Sequence, residues 1–239
     1  MEQLLNIREA AEFLNVSEMT IRRWTNQGAL KCYRVGGRRA RRFKQKDLQA
    51  YLEDNTRSAS PEMVSLGFGE LTVPDGAHIT HLSVNDDEAI DVAAAFIADG
   101  LIKNESICIV TPETEVEKIV ASLGQRKLDL NGFGKAGRLH FSNGMPTPQG
   151  QAEYLSQIAG SSRRRLRVFG DMTWTKDKRW RSEDLRELEE KVNITPISNM
   201  LFFCQYKLGR FSGEEAMLAI ETHSHCVYRG LLKESPYRS

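Results

Sequence analysis

From residue 78 onward the chain alternates short apolar runs with segments whose apolar residues have the period of a helix. The apolar runs are HITHLSV, SICIV, RLHF, LRVFG and NMLFFCQY. Between the first two runs, apolar side chains fall at helical spacing at Ile90, Ala93, Ala94, Ile97 and Leu101. Strands that alternate with helices in this way predict an α/β domain, in which helices cover both faces of a mostly parallel sheet.

The first 60 residues have a different charge. They contain 12 Lys/Arg and 7 Asp/Glu, a net charge of +5, whereas the remaining residues have a net charge of −4. Between Arg22 and Lys46 there are ten basic residues and no acidic one. A basic segment joined to a mildly acidic domain is typical of a nucleic-acid-binding protein that has a separate second function.

Two short helices are predicted in this basic segment. Asn6 and Glu9 have the spacing of a capping box, and Ser17 precedes a second helix on which Ile21 and Trp24 face the first one. The residues NVS between the helices form a short turn. This arrangement predicts a helix-turn-helix, followed by a hairpin and a third helix, KQKDLQAYL.

The hairpin segment RVGGRRARRF, residues 34–43, contains five arginines and two adjacent glycines. The glycines allow a tight turn, which carries Arg38 and Arg39 at its tip, within reach of phosphates or a narrow minor groove. Strand alternation places Arg41 and Arg42 on opposite sides of the returning strand. The alternatives are a solvated basic hairpin and a patch that binds RNA or an acidic protein.

The stretch NIREAAEFLNVSEMTIRRWTNQGAL, followed by YRVGGRRARRFKQKDLQAYL, resembles the excisionase-type winged helix-turn-helix of the MerR superfamily. The resemblance implies double-stranded DNA as a partner, with the second helix in the major groove. That helix and the wing would then offer Ser17, Glu18, Thr20, Arg22, Arg23, Arg38, Arg39, Arg41 and Arg42. Glu18 could accept a hydrogen bond from a cytosine amino group, or it could only favour the helix N-terminus.

Residues 55–74 contain Ser, Gly and Pro and show no sustained periodicity, so they are predicted to be a linker. The predicted domains are therefore a winged helix-turn-helix over residues 1–54 and an α/β domain over residues 75–232.

The α/β part resembles the MEDS domain, a sensory domain named after methanogen and methylotroph proteins and the dichloromethane regulator. The resemblance rests on HITHLSVNDDEAIDVAAAFIADGLIKNESICIVTPE, LRVFGDMTW, CQYKLGRF and ETHSHCV. It implies a RecA/KaiC-like fold that senses a small ligand. Lys207 stands where the family often has Asp, and small residues around Ser83 replace an aromatic residue.

Nucleotide hydrolysis is not expected from this fold. A P-loop needs a glycine-rich turn directly after the first strand, but NDDEAID follows it and would repel phosphate. The segment GFGKAG, residues 132–137, satisfies G-x-G-x-x-G, but a strand follows it instead of preceding it, so it is predicted to be a loop.

Candidate ligand-binding residues are His78, Asp171, Trp174 and His223. Asp171 follows an apolar strand, where open α/β sheets bind ligands, although it could equally cap a helix. His78 and His223 lie at positions that the MEDS resemblance favours. The sequence THSHC, together with His78 or His81, could instead bind a metal, but a histidine-lined pocket without metal or cofactor is the preferred interpretation.

These observations predict a transcription regulator, not an enzyme. The four cysteines show no CxxC spacing, which is typical of reduced thiols in a cytoplasmic protein, and no apolar run is long enough to span a membrane. A single helix-turn-helix unit, called the head below, buries little surface on DNA, so a homodimer with two heads is predicted. The alternatives are an excisionase-like architectural protein whose second domain only assembles protomers, and an enzyme with a DNA-targeting head.

Overall fold

The computed structural model describes residues 4–26, 29–36, 40–56, 62–162, 164–194 and 199–237. The chain divides into two compact units, Met1–Pro61 and Glu62–Ser239. Of the helices within the described ranges, none is both long and apolar enough to cross a membrane.

The first unit is a helix-turn-helix with a small antiparallel sheet. Its elements are β1 (Leu4–Leu5), α1 (Ile7–Phe13), α2 (Glu18–Asn26), β2 (Tyr33–Val35), β3 (Ala40–Lys44) and α3 (Gln45–Thr56). The strands pair in the order β1-β3-β2. A small core of buried side chains joins helices and sheet, formed by Ala10, Ala11, Ile21, Leu30, Phe43 and Leu48.

The predicted helix caps of the first unit are confirmed. Asn6 accepts hydrogen bonds from the backbone N–H groups of Arg8 and Glu9, and the Glu9 carboxylate accepts from the N–H of Asn6. At the second helix, Oγ of Ser17 accepts from the backbone N–H of Thr20 at 3.2 Å. These bonds satisfy donors that a helix N-terminus leaves open, and they fix the start of both helices.

The prediction that residues 55–74 form a linker is wrong for residues 62–74. Two strands, β4 (Met63–Ser65) and β5 (Thr72–Pro74), form an antiparallel hairpin that belongs to the second unit. Alternation buries Val64 and Val73 in that unit's core. Gly67 has a φ of +82°, and a Cβ there would lie 2.5 Å from the carbonyl oxygen of Ala95, so the turn requires glycine.

The second unit contains the predicted α/β alternation. Its remaining elements are β6 (His78–Ser83), α4 (Asp86–Ile102), β7 (Ser106–Val110), α5 (Glu113–Gln125), α6 (Leu130–Lys135), β8 (Leu139–Ser142), α7 (Pro148–Ser161), β9 (Leu166–Asp171), α8 (Trp174–Asp177), α9 (Ser182–Ile194), β10 (Met200–Lys207), α10 (Gly213–Thr222), β11 (His225–Tyr228) and β12 (Leu231–Glu234). The predicted loop at GFGKAG is wrong, because α6 takes up its first four residues.

A mostly parallel seven-stranded sheet in the order β12-β11-β6-β10-β9-β7-β8 organises this unit, as predicted. Only β12 runs antiparallel to its neighbour. One core lies between one face of the sheet and α4, α5 and the β4-β5 hairpin. The second core lies between the other face and α7, α9 and α10. The central strands β6, β7, β9 and β10 are buried along their whole length, which explains their nearly continuous apolar sequences.

Candidate DNA-binding surface and sensory-domain sites

The solvent-facing side of α2 carries side chains that can contact a ligand. Glu18, Arg22 and Arg23 are exposed, and Arg22 pairs with Glu18 at 3.4 Å across one helical turn. Met19 is 78% exposed on the same surface, although sequence reasoning did not select it. The hydroxyl groups of Ser17 and Thr20 are hydrogen-bonded to each other at 2.9 Å, so these two side chains stabilise the start of α2.

A basic groove lies beside this surface. It is lined by Asn6, Ile7, Arg22, Arg34, Ala40, Arg41 and Arg42, and is called the arginine groove below. Both Arg41 and Arg42 therefore reach one groove, although they alternate along β3. Arg38 and Arg39, the predicted wing tip, lie outside the described residues.

Arg34 was not among the predicted DNA contacts, but the sheet register makes it notable. It stands directly opposite Arg41 in the antiparallel β2-β3 pair. Like charges at directly opposed positions destabilise a sheet by a few tenths to about 1 kcal/mol. The register therefore places two like charges side by side on this hairpin.

In the second unit, Asp171 lies at the carboxyl end of β9 beside the end of β10. One of its carboxylate oxygens is 3.0 Å from Nζ of Lys207, which is also 3.0 Å from Glu115. The other accepts hydrogen bonds from the backbone N–H and the hydroxyl of Thr173. Burial by itself lowers the pKa of Lys207, but Asp171 and Glu115 outweigh it and raise that pKa.

A pocket of about 190 Å³ opens at this carboxyl edge. Four basic side chains line it, Lys118, Lys176, Lys207 and Arg210, together with the acidic Asp86, Glu115 and Asp177. Open α/β sheets bind ligands at this edge. The volume is below the 300–1,000 Å³ that is usual for drug-sized ligands, so it fits a small molecule. The N-terminus of α4 beside it is capped by Asn85 and begins with three acidic residues, which disfavours phosphate there.

A second polar group is buried under α9 and α10. His78 begins β6, Glu189 lies on α9, Cys204 lies on β10, and His223 follows α10. Nε2 of His78 is 3.2 Å from Oε2 of Glu189 and 3.4 Å from Sγ of Cys204. Nε2 of His223 is 3.6 Å from the same carboxylate oxygen. These four residues are called the histidine cluster below, and all are buried.

Hydrogen bonds from outside the histidine cluster fix its orientation. Nδ1 of His78 is 3.0 Å from Oδ1 of Asn193, whose amide nitrogen donates to the carbonyl oxygen of Thr222. Nδ1 of His223 is 2.7 Å from the carbonyl oxygen of Ala219. Both Nδ1 atoms therefore carry the proton, and both Nε2 atoms face Glu189.

The charges of the histidine cluster follow from burial and contact. Burial alone raises the pKa of Glu189, but the His223 and His78 rings outweigh it and lower that pKa to about 2. Tyr206 adds a hydrogen bond from its hydroxyl to Oε1 at 2.7 Å. Burial, and secondarily the Glu189 charge, raises the pKa of the Cys204 thiol well above its ordinary value. Glu189 is therefore ionised, and Cys204 without a cation is a neutral thiol.

The four predicted ligand-binding residues do not form one site. His78 and His223 lie together, with ring centroids 3.9 Å apart. Asp171 lies three positions along the register from His78, about 10 Å towards the carboxyl edge. Trp174 is buried against Trp180 and lines a small cavity of about 30 Å³ that also touches Glu189 and Cys204.

Two members of the histidine cluster were missed from the sequence. Glu189 lies on the inward face of α9, next to Leu188 and between Leu185 and Val192, and an acidic residue is unusual on such an apolar face. That position was the available signal. Cys204 lies in the apolar run NMLFFCQY and carries no such signal. His81, a possible metal ligand on sequence grounds, lies on the other face of β6 against Gln205 and Phe203.

Comparison with known proteins agrees with this architecture. The family model "MEthanogen/methylotroph, DcmR Sensory domain" (MEDS) matches residues 77–224, and a helix-turn-helix domain model matches residues 4–56. The transcriptional repressor DcmR of Methylorubrum extorquens is 28% identical, and the match covers 93% of this chain and 90% of that protein.

A solved structure shares the fold of the larger unit. The KaiC-like protein of the archaeon Pyrococcus horikoshii has a TM-score of 0.55 and 16% sequence identity, and the match covers 70% of this chain and 80% of that one. The fold is therefore RecA/KaiC-like, as predicted. Because the MEDS model matches more than half of its residues, the chain belongs to the MEDS family, and it carries a helix-turn-helix domain ahead of the sensory domain.

Proposed function

We propose that the protein is a one-component transcription regulator, in which the helix-turn-helix unit binds double-stranded DNA and the MEDS domain senses a small ligand. The observation that carries the proposal is the arginine groove beside α2. It gathers Arg22, Arg34, Arg41 and Arg42 around the helix that a helix-turn-helix places in the major groove. The resemblance to a transcriptional repressor over 93% of the chain supports the same conclusion.

The arginine groove and α2 divide the work of DNA binding. Arginines that meet phosphates supply affinity without sequence preference, whereas exposed side chains at the start of α2 reach base edges. Glu18, Met19 and Arg23 are exposed there, and Glu18 already holds Arg22 in place. In the MerR and excisionase arrangement, the hairpin that supplies Arg34, Arg41 and Arg42 to this groove is the wing.

Specific binding to DNA requires two helix-turn-helix units. A single small module buries only about 600–1,000 Å² on DNA, which limits specific affinity. We therefore propose a homodimer, held by the MEDS domains, that reads two half-sites. The DNA sequence that the protein prefers is then expected to contain two copies of one half-site.

The carboxyl-edge pocket is the proposed sensing site. Its four basic side chains outnumber its three acidic ones, and Lys207 is held by ion pairs to Asp171 and Glu115. A small anionic ligand could compete with those two carboxylates for Lys207. A ligand changes DNA affinity only if it binds one arrangement of the protein better than another. The proposal gives the protein a binding function and no turnover.

The experiment is selection of DNA from a random-sequence duplex pool by the full-length protein. The expected result is enrichment of one motif, followed by a footprint on that motif in a nuclease protection assay. The variant Arg23→Ala is expected to relax the motif at one position, and Arg181→Ala, an exposed arginine in the MEDS unit, is expected to leave it unchanged. A pool that stays random after repeated rounds contradicts the proposal.

A further inference from the structure

We propose that His78, Glu189, Cys204 and His223 bind a divalent transition-metal ion of the zinc class. Each offers one ligand atom, and all four atoms lie within 4.8 Å of one another in the buried interior of the MEDS domain. The site is separate from the carboxyl-edge pocket. If the chain proves to bind no metal, the proposed function as a transcription regulator is therefore unaffected.

The distances match a tetrahedral ion. Zinc ligands at about 2.0–2.3 Å from the metal stand roughly 3.3–3.7 Å apart at the corners of a tetrahedron. Three edges of the histidine cluster measure 3.2, 3.4 and 3.6 Å. The widest separation in the group must shorten by about 1 Å to complete the tetrahedron.

The hydrogen-bond network selects the correct histidine atoms. Nδ1 of each ring donates to an oxygen, so each Nε2 is the atom that can present a lone pair to the centre of the cluster. Metal-ligating histidines are commonly held in this way by an acceptor on the far nitrogen. The hydroxyl of Tyr206 fixes Glu189 in the same manner, by donating to the oxygen that faces away from the rings.

A single cation can be bound by all four groups at once. It accepts a lone pair from each Nε2, one from the carboxylate of Glu189, and one from the thiolate that forms when the Cys204 thiol releases its proton to solvent.

The chemical nature of the four ligands determines which class of metal ion fits the site. Two imidazoles, one carboxylate and one thiolate suit zinc and the neighbouring transition metals, whereas calcium and magnesium require oxygen ligands. Four protein ligands close the tetrahedron and leave no position for water or substrate. The ion therefore ties β6, β10, α9 and the end of α10 together and does not catalyse a reaction.

The test uses the reduced full-length protein, freed of metal by a chelator and titrated with Co²⁺. The expected result is one Co²⁺ per chain, with the intense visible bands of four-coordinate cobalt and a thiolate-to-cobalt charge-transfer band. Cys204→Ser is expected to lose the charge-transfer band and at least tenfold in affinity. Cys108→Ser alters an equally buried thiol outside the cluster and is expected to keep both. Asn193→Ala is expected to weaken binding about 10- to 100-fold while keeping the band.

X-ray absorption on the zinc-loaded wild-type protein avoids the question of whether variants fold. The expected shell has one sulfur at about 2.3 Å and three nitrogen or oxygen atoms at about 2.0–2.1 Å. Absence of stoichiometric binding, a shell without sulfur, or a cobalt spectrum that Cys204→Ser leaves unchanged would each overturn the proposal.

Discussion

Replacing Arg34 by glutamine separates DNA binding from folding, because the two are expected to change in opposite directions. Arg34 is exposed on β2 and faces Arg41 across the hairpin in the arginine groove. Arg34→Gln keeps most of the side-chain length and removes only the charge. It is therefore expected to remove one proposed phosphate contact and to relieve the repulsion between two arginines.

The magnitudes follow from this geometry. One lost phosphate contact lowers the slope of log affinity against log salt by about 0.9, which corresponds to roughly 8-fold weaker binding at about 0.1 M salt. A homodimer with two grooves loses about 1.8 in slope and roughly 60-fold in affinity. Relief of the like-charge pair stabilises the head by about 0.2–1 kcal/mol.

The assay combines fluorescence anisotropy on labelled DNA at several salt concentrations with amide hydrogen exchange over α1, β2 and β3. Exchange resolves the head from the rest of the chain, whereas tryptophan fluorescence would not, since two of the three tryptophans lie in the MEDS unit. Arg181→Gln, which removes the same charge from an exposed arginine outside the head, is expected to change neither quantity. An unchanged salt slope together with faster exchange in the hairpin would refute the reasoning, because Arg34 would then serve the fold.

Three further predictions concern the MEDS unit. Arg167 is fully buried and binds Glu105, Asp99 at 2.8 Å and the carbonyl oxygen of Phe96, so Arg167→Leu is expected to cost about 3–5 kcal/mol in urea unfolding, while Arg164→Leu at an exposed site costs little. Burial lowers the pKa of His81 to about 4 from its ordinary 6.5, so the unfolded chain takes up its proton first. The resulting stability, roughly 3 kcal/mol, is complete above pH 6.5 and is lost as the pH falls towards 4, and His81→Gln is expected to remove that part of the pH dependence. Light scattering is expected to give the mass of a homodimer, and a monomer both free and on DNA would contradict the two-head proposal.

Local sequence signals predicted the head well, because its elements are set by residues close in the chain. The caps at Asn6 and Ser17 and the core positions Ile21 and Leu48 are all placed as expected. Arg34 was missed because its importance depends on which residue stands opposite it, and that register is a property of the folded hairpin. The sequence of the β4-β5 hairpin resembles a linker, because its strands are short and half-exposed and its glycines form the turn between them.

The sites of the MEDS unit were harder to predict, since they depend on strand order and on depth along each strand. Asp171 was correctly placed at a strand end, but its partner Lys207 follows from β9 and β10 being neighbours. His78 and His223 meet because β6 and β11 pair in parallel, and the sequence does not give that order. Glu189 is 111 residues from His78 in the chain and joins the two histidines only because α9 packs against the sheet.

The most direct test of the account is the ratio of two affinities, measured at one salt concentration with the full-length protein. One duplex carries the motif enriched from the random pool, and the other carries a scrambled version of it. The enriched duplex is expected to bind at least about 10³-fold more tightly than the scrambled one, which is the lower end for specific DNA-binding proteins. Equal affinity for the two duplexes would contradict the central claim that this chain reads DNA sequence as a transcription regulator.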